Sequence, residues 1–196
     1  GDNPKMLEEA AKMAEDWGYD EINFNVGCPS PRVCSGNFGA SLMKEPTKVA
    51  KCIESLKNNC NLPVTIKHRI GVDQQDSFNS LNNFVREVAN AGADRFTVHA
   101  RKAILKGLNP KQNRTVPPLK YDMVRKLKEN NPELVIEING GFTNIDQCIK
   151  ALKHFDGVMI GRSAYKHPLI WSEIDQKIYG VDSSDKNASK IILSLI

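Results

Sequence analysis

Val64-Thr65-Ile66-Lys67-His68-Arg69-Ile70 (residues 64–70) begins as a β-branched apolar run and ends in three basic side chains. Such a start reads as a parallel strand buried on both faces. Alternation along a strand turns His68 away from Lys67 and Arg69, so the three are not expected all to be buried. Asn61-Leu62-Pro63 punctuates the approach. Four further segments repeat the theme: Glu21–Val26, Arg95–Ala100, Leu134–Asn139 and Gly157–Ile160. Between them lie helical stripes at i, i+3, i+4, i+7 spacing: Leu7, Ala10, Ala11, Ala14 and Trp17; Val49, Ile53 and Leu56; Phe78, Leu81, Val85 and Val88. Met123, Val124 and Leu127 form another, and Ile145, Cys148, Ile149 and Leu152 the last. Strand and helix in alternation predict a parallel sheet with helices outside it.

Two α/β architectures fit that alternation, and the strand ends choose between them. Asn23-x-Asn25-x-Gly27-Cys28, Lys67-His68-Arg69, His99-Ala100-Arg101, Asn139-Gly140-Gly141 and Gly161-Arg162 each close a strand with polar or glycine residues. An open doubly wound sheet gathers its site at one switch point. Functional groups at the ends of many strands are the habit of a (β/α)8 TIM barrel. The expectation is an incomplete portion of such a barrel, about five of its eight β/α units, over residues 1–180. The other units are expected outside this chain, which would leave an apolar seam open. From residue 181, with Asp182-Ser183-Ser184-Asp185-Lys186-Asn187, a polar linker and the start of a C-terminal helical domain are expected.

Composition narrows the function. With 40% hydrophobic and 26% charged residues, the 196-residue chain sits with globular domains rather than disordered ones. It carries no apolar run of the roughly 18 residues that a membrane span needs, so no membrane partner is expected. Gly1-Asp2-Asn3-Pro4-Lys5 lacks the apolar core of a signal peptide. A net charge of +4 permits a polyanionic partner without demanding one. Five cysteines at irregular spacing make neither a disulfide framework nor a zinc pair, so no metal is expected. A reducing compartment fits best, the cytoplasm first, with an organelle left open. Cys52 and Cys148 fall on apolar helix faces, as packing residues do.

Several clusters could carry chemistry. Asn139-Gly140-Gly141 and Gly161-Arg162 follow neighbouring strands. Glycines there let backbone N–H groups approach an anion, and a guanidinium beside them grips phosphate; alone, the same glycines only make tight turns. Lys67 and His99 end successive strands and are expected to face the barrel mouth, though a solvated lysine and a satisfied core histidine are the plainer readings. Cys28, between Gly27 and Pro29, reads as an exposed thiol at the site: a nucleophile, a metal ligand or a general acid. No activating dyad or ligand cluster accompanies it, and an ordinary thiol is mostly protonated at neutral pH. The loop 101–118 holds Arg101, Lys102, Lys106, Lys111 and Arg114 and no acidic residue. It suits nucleic-acid phosphates, or is merely a solvated charged loop.

Taken together these residues resemble the tRNA-dihydrouridine synthases, in their bacterial-type branch acting on D-loop uridines 20 and 20a. Asn23-Phe24-Asn25-Val26-Gly27-Cys28-Pro29-Ser30, Gly36–Met43, His99–Ala103, Gly107–Arg114, Pro117–Leu119 and Asp156–Arg162 carry the likeness, which runs over about residues 1–180. The resemblance implies a (β/α)8 barrel with FMN as cofactor and NADPH as reductant. It implies Cys28 as the acid that protonates C5 of uracil while hydride reaches C6. It implies FMN contacts from Lys67, His99, Asn139, Gly140, Gly141, Gly161 and Arg162, and tRNA contacts from Asn25, Lys111 and Arg114. Arg69 is a further candidate for uracil or flavin contact. The alternatives are an FMN-dependent dehydrogenase of a free pyrimidine, of dihydroorotate or dihydropyrimidine type, and a non-catalytic tRNA-binding relative. Activity on free uracil or orotate separates the first, and an inert Cys28→Ala change the second.

Overall fold

Each strand pairs in parallel with the next one in the chain: β1 Ile22–Asn25, β2 Val64–Arg69, β3 Arg95–His99, β4 Ile136–Asn139 and β5 Gly157–Met159, in the order β1-β2-β3-β4-β5. That consecutive order is a barrel's; a doubly wound sheet would reverse direction at a switch point. The computed structural model describes residues 1–181. The expected linker and helix start at Asp182 lie outside the described residues. Helices fill the connections: α1 Pro4–Asp16, α2 Pro31–Cys34, α3 Pro46–Lys57, α4 Phe78–Asn90, α5 Tyr121–Asn130, α6 Ile145–Ala151, α7 Arg162–Lys166 and α8 Ile174–Tyr179.

Local chemistry fixes the helix starts. Asn3, Ser77 and Asn144 cap α1, α4 and α6, their side-chain oxygens accepting from Lys5 N (3.0 Å), Ser80 N (3.1 Å) and Gln147 N (2.9 Å). Pro4 and Pro46 sit in first turns, where a missing N–H costs nothing.

One structural device occurs twice. Asp94, just before β3, accepts from Val64 N at the start of β2 (2.7 Å) and pairs with Lys57 of α3 (2.9 Å). Asp156, just before β5, accepts from Ile136 N at the start of β4 (2.8 Å) and pairs with Lys128 of α5 (2.8 Å). Each aspartate thus locks a strand, the helix before it and the next strand into one unit, at the end of the sheet away from the site.

The two faces of the sheet differ in kind. Phe24, Val64, Ile66, Phe96, Val98, Ile136 and Ile138 turn outward and pack with Ile53, Leu56, Leu81, Phe84, Val85, Val88, Val124 and Leu127 in one buried core. Each such side chain contributes about 1.5–3 kcal/mol by leaving water. Fully buried His68 joins that face, its ring centroid 5.2 Å from Phe84 and 6.1 Å from Phe96. Cys52 and Cys148 are buried, as the sequence predicts.

The inward face is polar. Asn25, Lys67, Thr97 and Glu137 stand level across β1–β4, and Arg69, His99, Asn139 and Met159 across β2–β5. Asn23 donates to Thr65 Oγ1 (2.8 Å), and Thr97 donates to Glu137 (2.7 Å). Arg95 bridges Glu21 and Glu137. The α1 stripe is corrected: of its five residues only Ala11 is fully buried, while Trp17 is 78% exposed.

Candidate active site at the strand ends

Lys67, Arg69, His99, Asn139, Gly140, Gly141, Gly161 and Arg162, from four successive strand ends, line one cavity of about 530 Å³. Gly27 and Arg114 reach it from either side. Its lining contains no carboxylate. Among the described residues, none of Lys67, Arg69, Arg101, Arg114 and Arg162 forms an ion pair. So much positive charge without counter-charge is a site prepared for an anion.

The electrostatics bear this out residue by residue. Burial pulls Lys67 down to about 8, and the neighbouring Arg69 adds to the fall. Burial likewise lowers Arg69 to about 10, with Cys28 opposing and Arg114 and Arg101 reinforcing the shift. His99 drops to about 3, from burial first and then Arg69, Lys67 and Arg101. Its imidazole is therefore neutral at physiological pH, with the Arg101 backbone opposing the fall, and among the described residues no hydrogen bond of ordinary geometry reaches its buried Nδ1. A buried ring nitrogen left unsatisfied inside a polar cavity calls for a ligand group.

The backbone makes the cradle. Gly140 and Gly141 adopt φ of +120° and +80°, which side chains rarely tolerate. A Cβ on Gly140 would come within 2.9 Å of Leu119 and 3.3 Å of His99 Nε2. Asn139 donates to Met159 O (2.8 Å), tying the ends of β4 and β5 together, and Tyr121 OH donates to Gly140 O. Arg162 donates to Arg114 O (3.4 Å), which brings the last strand end against the basic loop.

Cys28 stands beside this cavity, joined to it through Gly27. The residue is partly exposed, and its carbonyl accepts from Ala40 N (2.8 Å) and Cys34 Sγ (3.6 Å). Asn25 is exposed and accepts from Gly27 N (3.0 Å), holding the turn that leads to Cys28. Lys111 is exposed outside the cavity, whereas Arg114 lines it. The structure thus gathers the expected cofactor residues and sets Asn25, Cys28 and Lys111 at the rim. Arg69 is tied into the fold: Nε donates to Gly27 O (2.9 Å), and Nη1 to Lys102 O (3.1 Å) and Asn113 O (3.0 Å).

Sequence reasoning missed Thr143, Ser163, Lys166 and His167, which also line the cavity. A signal existed for Lys166, four residues after Arg162 and so on the same face of a helical turn. A more apolar hollow of about 370 Å³ lies between α5 and α6 and shares Phe142, but no strand end opens into it. No three His, Cys, Asp or Glu side chains gather as a metal site among the described residues. No described helix is long and apolar enough to cross a membrane.

Comparison with known proteins places this geometry. The profile of the family described as Dihydrouridine synthase (Dus) matches residues 1–193. A tRNA-dihydrouridine(20/20a) synthase of Synechocystis is 56% identical over 179 residues, covering 91% of this chain and 54% of that protein. Proteins of the same name from Vibrio cholerae and Shewanella oneidensis are 49% and 47% identical over 98% and 100% of this chain and 59% and 58% of theirs. The chain therefore spans a little over half the length of these relatives. A solved lyase/mutase structure from Burkholderia cenocepacia shares the fold alone, at a TM-score of 0.56 and 12% identity, over 94% of this chain and 64% of its own. With the profile covering nearly the whole sequence, the chain belongs to the dihydrouridine synthase family.

Proposed function

We propose that the intact protein reduces the C5=C6 bond of uridine to 5,6-dihydrouridine in the D loop of tRNA, at position 20, 20a or both. The observation that carries this reading is the carboxylate-free cationic cavity at four strand ends with a partly exposed cysteine at its rim. The cradle fits FMN. Gly140, Gly141, Gly161 and Arg162 suit its phosphate, and the cationic Lys67 suits the negative charge that a reduced flavin would carry. His99 Nδ1, buried and without a hydrogen bond of ordinary geometry among the described residues, suits a polar group of the same ligand. When bound and reduced by NADPH, FMN would supply the hydride for C6.

The chain's own residues do the rest. Cys28 donates its proton to C5 as hydride arrives at C6, so one hydride and one proton saturate the double bond. The thiolate regains a proton from water. An acid placed at C5 relieves negative charge as it builds, which is worth about 10²–10⁴ in rate. A uridine must leave its stack to reach the cavity, at a cost of a few kcal/mol. Asn25, Lys111 and Arg114 hold the tRNA at the rim and offset that cost; Lys111 and Arg114 do so as charged contacts to phosphate. A cytoplasmic setting is supported by five unpaired cysteines and by bacterial relatives.

The test uses the intact protein, NADPH and tRNA lacking dihydrouridine. Product at position 20 or 20a is expected, with none from free uracil or orotate. Turnover of the free pyrimidines with tRNA left untouched would overturn the reading.

A further inference from the structure

The basic loop after β3 is folded around one side chain. Asn113 is fully buried; its Oδ1 accepts from Ile104 N (2.8 Å), and its Nδ2 donates to Ile104 O (2.9 Å), Leu108 O (3.2 Å) and Asn109 O (3.3 Å). Asn109 and Gln112 close the tip with two reciprocal side-chain bonds to each other's N–H, both 2.9 Å. Lys111, two residues before Asn113, is exposed, and Arg114, directly after it, is exposed at the cavity. The main chain of Asn113 continues the link, because its carbonyl accepts from Arg69 Nη1 (3.0 Å). The same guanidinium, only 4% exposed, holds Gly27 O through Nε at 2.9 Å. Gly27 directly precedes Cys28.

We infer that Asn113 is a positioning residue that acts through Arg69 to fix the height of Cys28 relative to the bound tRNA. Lys111, Arg114, Asn113, Arg69, Gly27 and Cys28 then form one hydrogen-bonded body drawn from three strand ends. Gripping phosphates at Lys111 and Arg114 sets the acid over the base without further adjustment. Arg69 suits this part because its planar fork reaches carbonyls in several directions at once, which an ammonium cannot do. Removing the Asn113 side chain leaves Ile104 N–H and the Ile104 and Leu108 carbonyls without that partner, so the loop loses its shape. Asn113→Asp is no remedy, since a buried carboxylate would face the carbonyls its amide now serves.

The inference rests on the proposed function, and its test separates the two. In the intact protein, Asn113→Ala is compared with wild type for flavin reduction by NADPH, for kcat and KM on tRNA, and for the rate at which iodoacetamide alkylates Cys28. Peptide mass spectrometry reads that rate against Cys34 in the same molecule. Flavin reduction is expected within about twofold of wild type, because Asn113 lies outside the cavity. Turnover on tRNA is expected to fall on the order of 100-fold, the cost of a misplaced catalytic group, and the Cys28 alkylation rate to change severalfold. Gln112→Ala, which opens only the exposed loop tip, is expected to raise KM and leave the alkylation rate alone. Should Asn113→Ala not fold, Arg69→Lys is expected to give the same alkylation change. An alkylation rate unmoved in the folded variant, or a loss confined to KM, overturns the positioning role. If wild type leaves tRNA untouched, the proposed function fails, while the alkylation readout still tests the link to Cys28.

Discussion

Gly39→Ala is the sharpest single perturbation of the acid. Gly39 opens the 3-10 helix Gly39–Lys44 with φ of +62°, and a Cβ there would lie 2.5 Å from Cys28 O, 2.8 Å from Val33 Cγ1 and 3.1 Å from Cys28 Cβ. Left-handed backbone costs a non-glycine residue about 1–2 kcal/mol. Relieving the contact must push the Cys28 carbonyl away from Ala40 N, which it now meets at 2.8 Å, forfeiting about 1 kcal/mol more. About 2–3 kcal/mol against the working geometry corresponds to a roughly 30- to 150-fold loss of turnover on tRNA. The assay is single-turnover oxidation of the pre-reduced enzyme by tRNA, with flavin reduction by NADPH as the internal control. Gly36→Ala is the companion variant, since its Cβ would meet only the Phe38 ring at 2.9 Å among near contacts and its φ is not in the left-handed range. A Gly39→Ala enzyme that reduces tRNA within about threefold of wild type, or loses flavin reduction in parallel, would refute the reasoning.

Two pH dependences follow from the buried cations and histidines. With Lys67 held near 8, its charge is present below that pH and lost above it, so FMN affinity should weaken as pH rises through about 8, and titrations with Lys67→Met should be flat there. Between about 8 and 10.5 the unfolded chain keeps a proton on Lys67 that the native state gives up, so Lys67's contribution to stability rises with pH in that window. His68, buried and lowered to about 4 chiefly by burial, has an effect of the same sign in a lower pH window. Below 6.5 the unfolded chain takes the proton that the native state refuses, so stability falls by about 1.4 kcal/mol per pH unit down to about 4. Urea unfolding at pH 7 and pH 5 should show that loss in wild type, and a smaller one in His68→Leu, where His99 still contributes.

The sequence was legible where the signal is local. All five strands lie within the segments read from apolar runs, because a β-rich run bounded by turn residues has few other uses. Lys67, His99, Asn139 and Arg162 were legible as site residues because residues at strand ends converge whenever the sheet curves. The α1 stripe misled, since helical period marks a face but not whether anything covers it; Ala10 and Trp17 are exposed. Arg69 was read as a candidate for uracil or flavin contact; it lines the cavity, and its Nε and Nη1 also hold carbonyls of residues 27, 102 and 113, which the sequence did not show. Bonds between a side chain and distant carbonyls leave no mark on spacing or composition. Asn113 went unnoticed for the same reason: in the sequence it is one polar residue in a polar loop.

The most direct test of the account is Cys28→Ala in the intact, FMN-loaded protein, pre-reduced with NADPH and mixed with tRNA lacking dihydrouridine. The account predicts normal flavin reduction and tRNA binding with dihydrouridine formation down by about 10²–10⁴, the contribution of a positioned acid. Dihydrouridine formed at the wild-type rate would contradict it and would mean that the proton reaches C5 from another group.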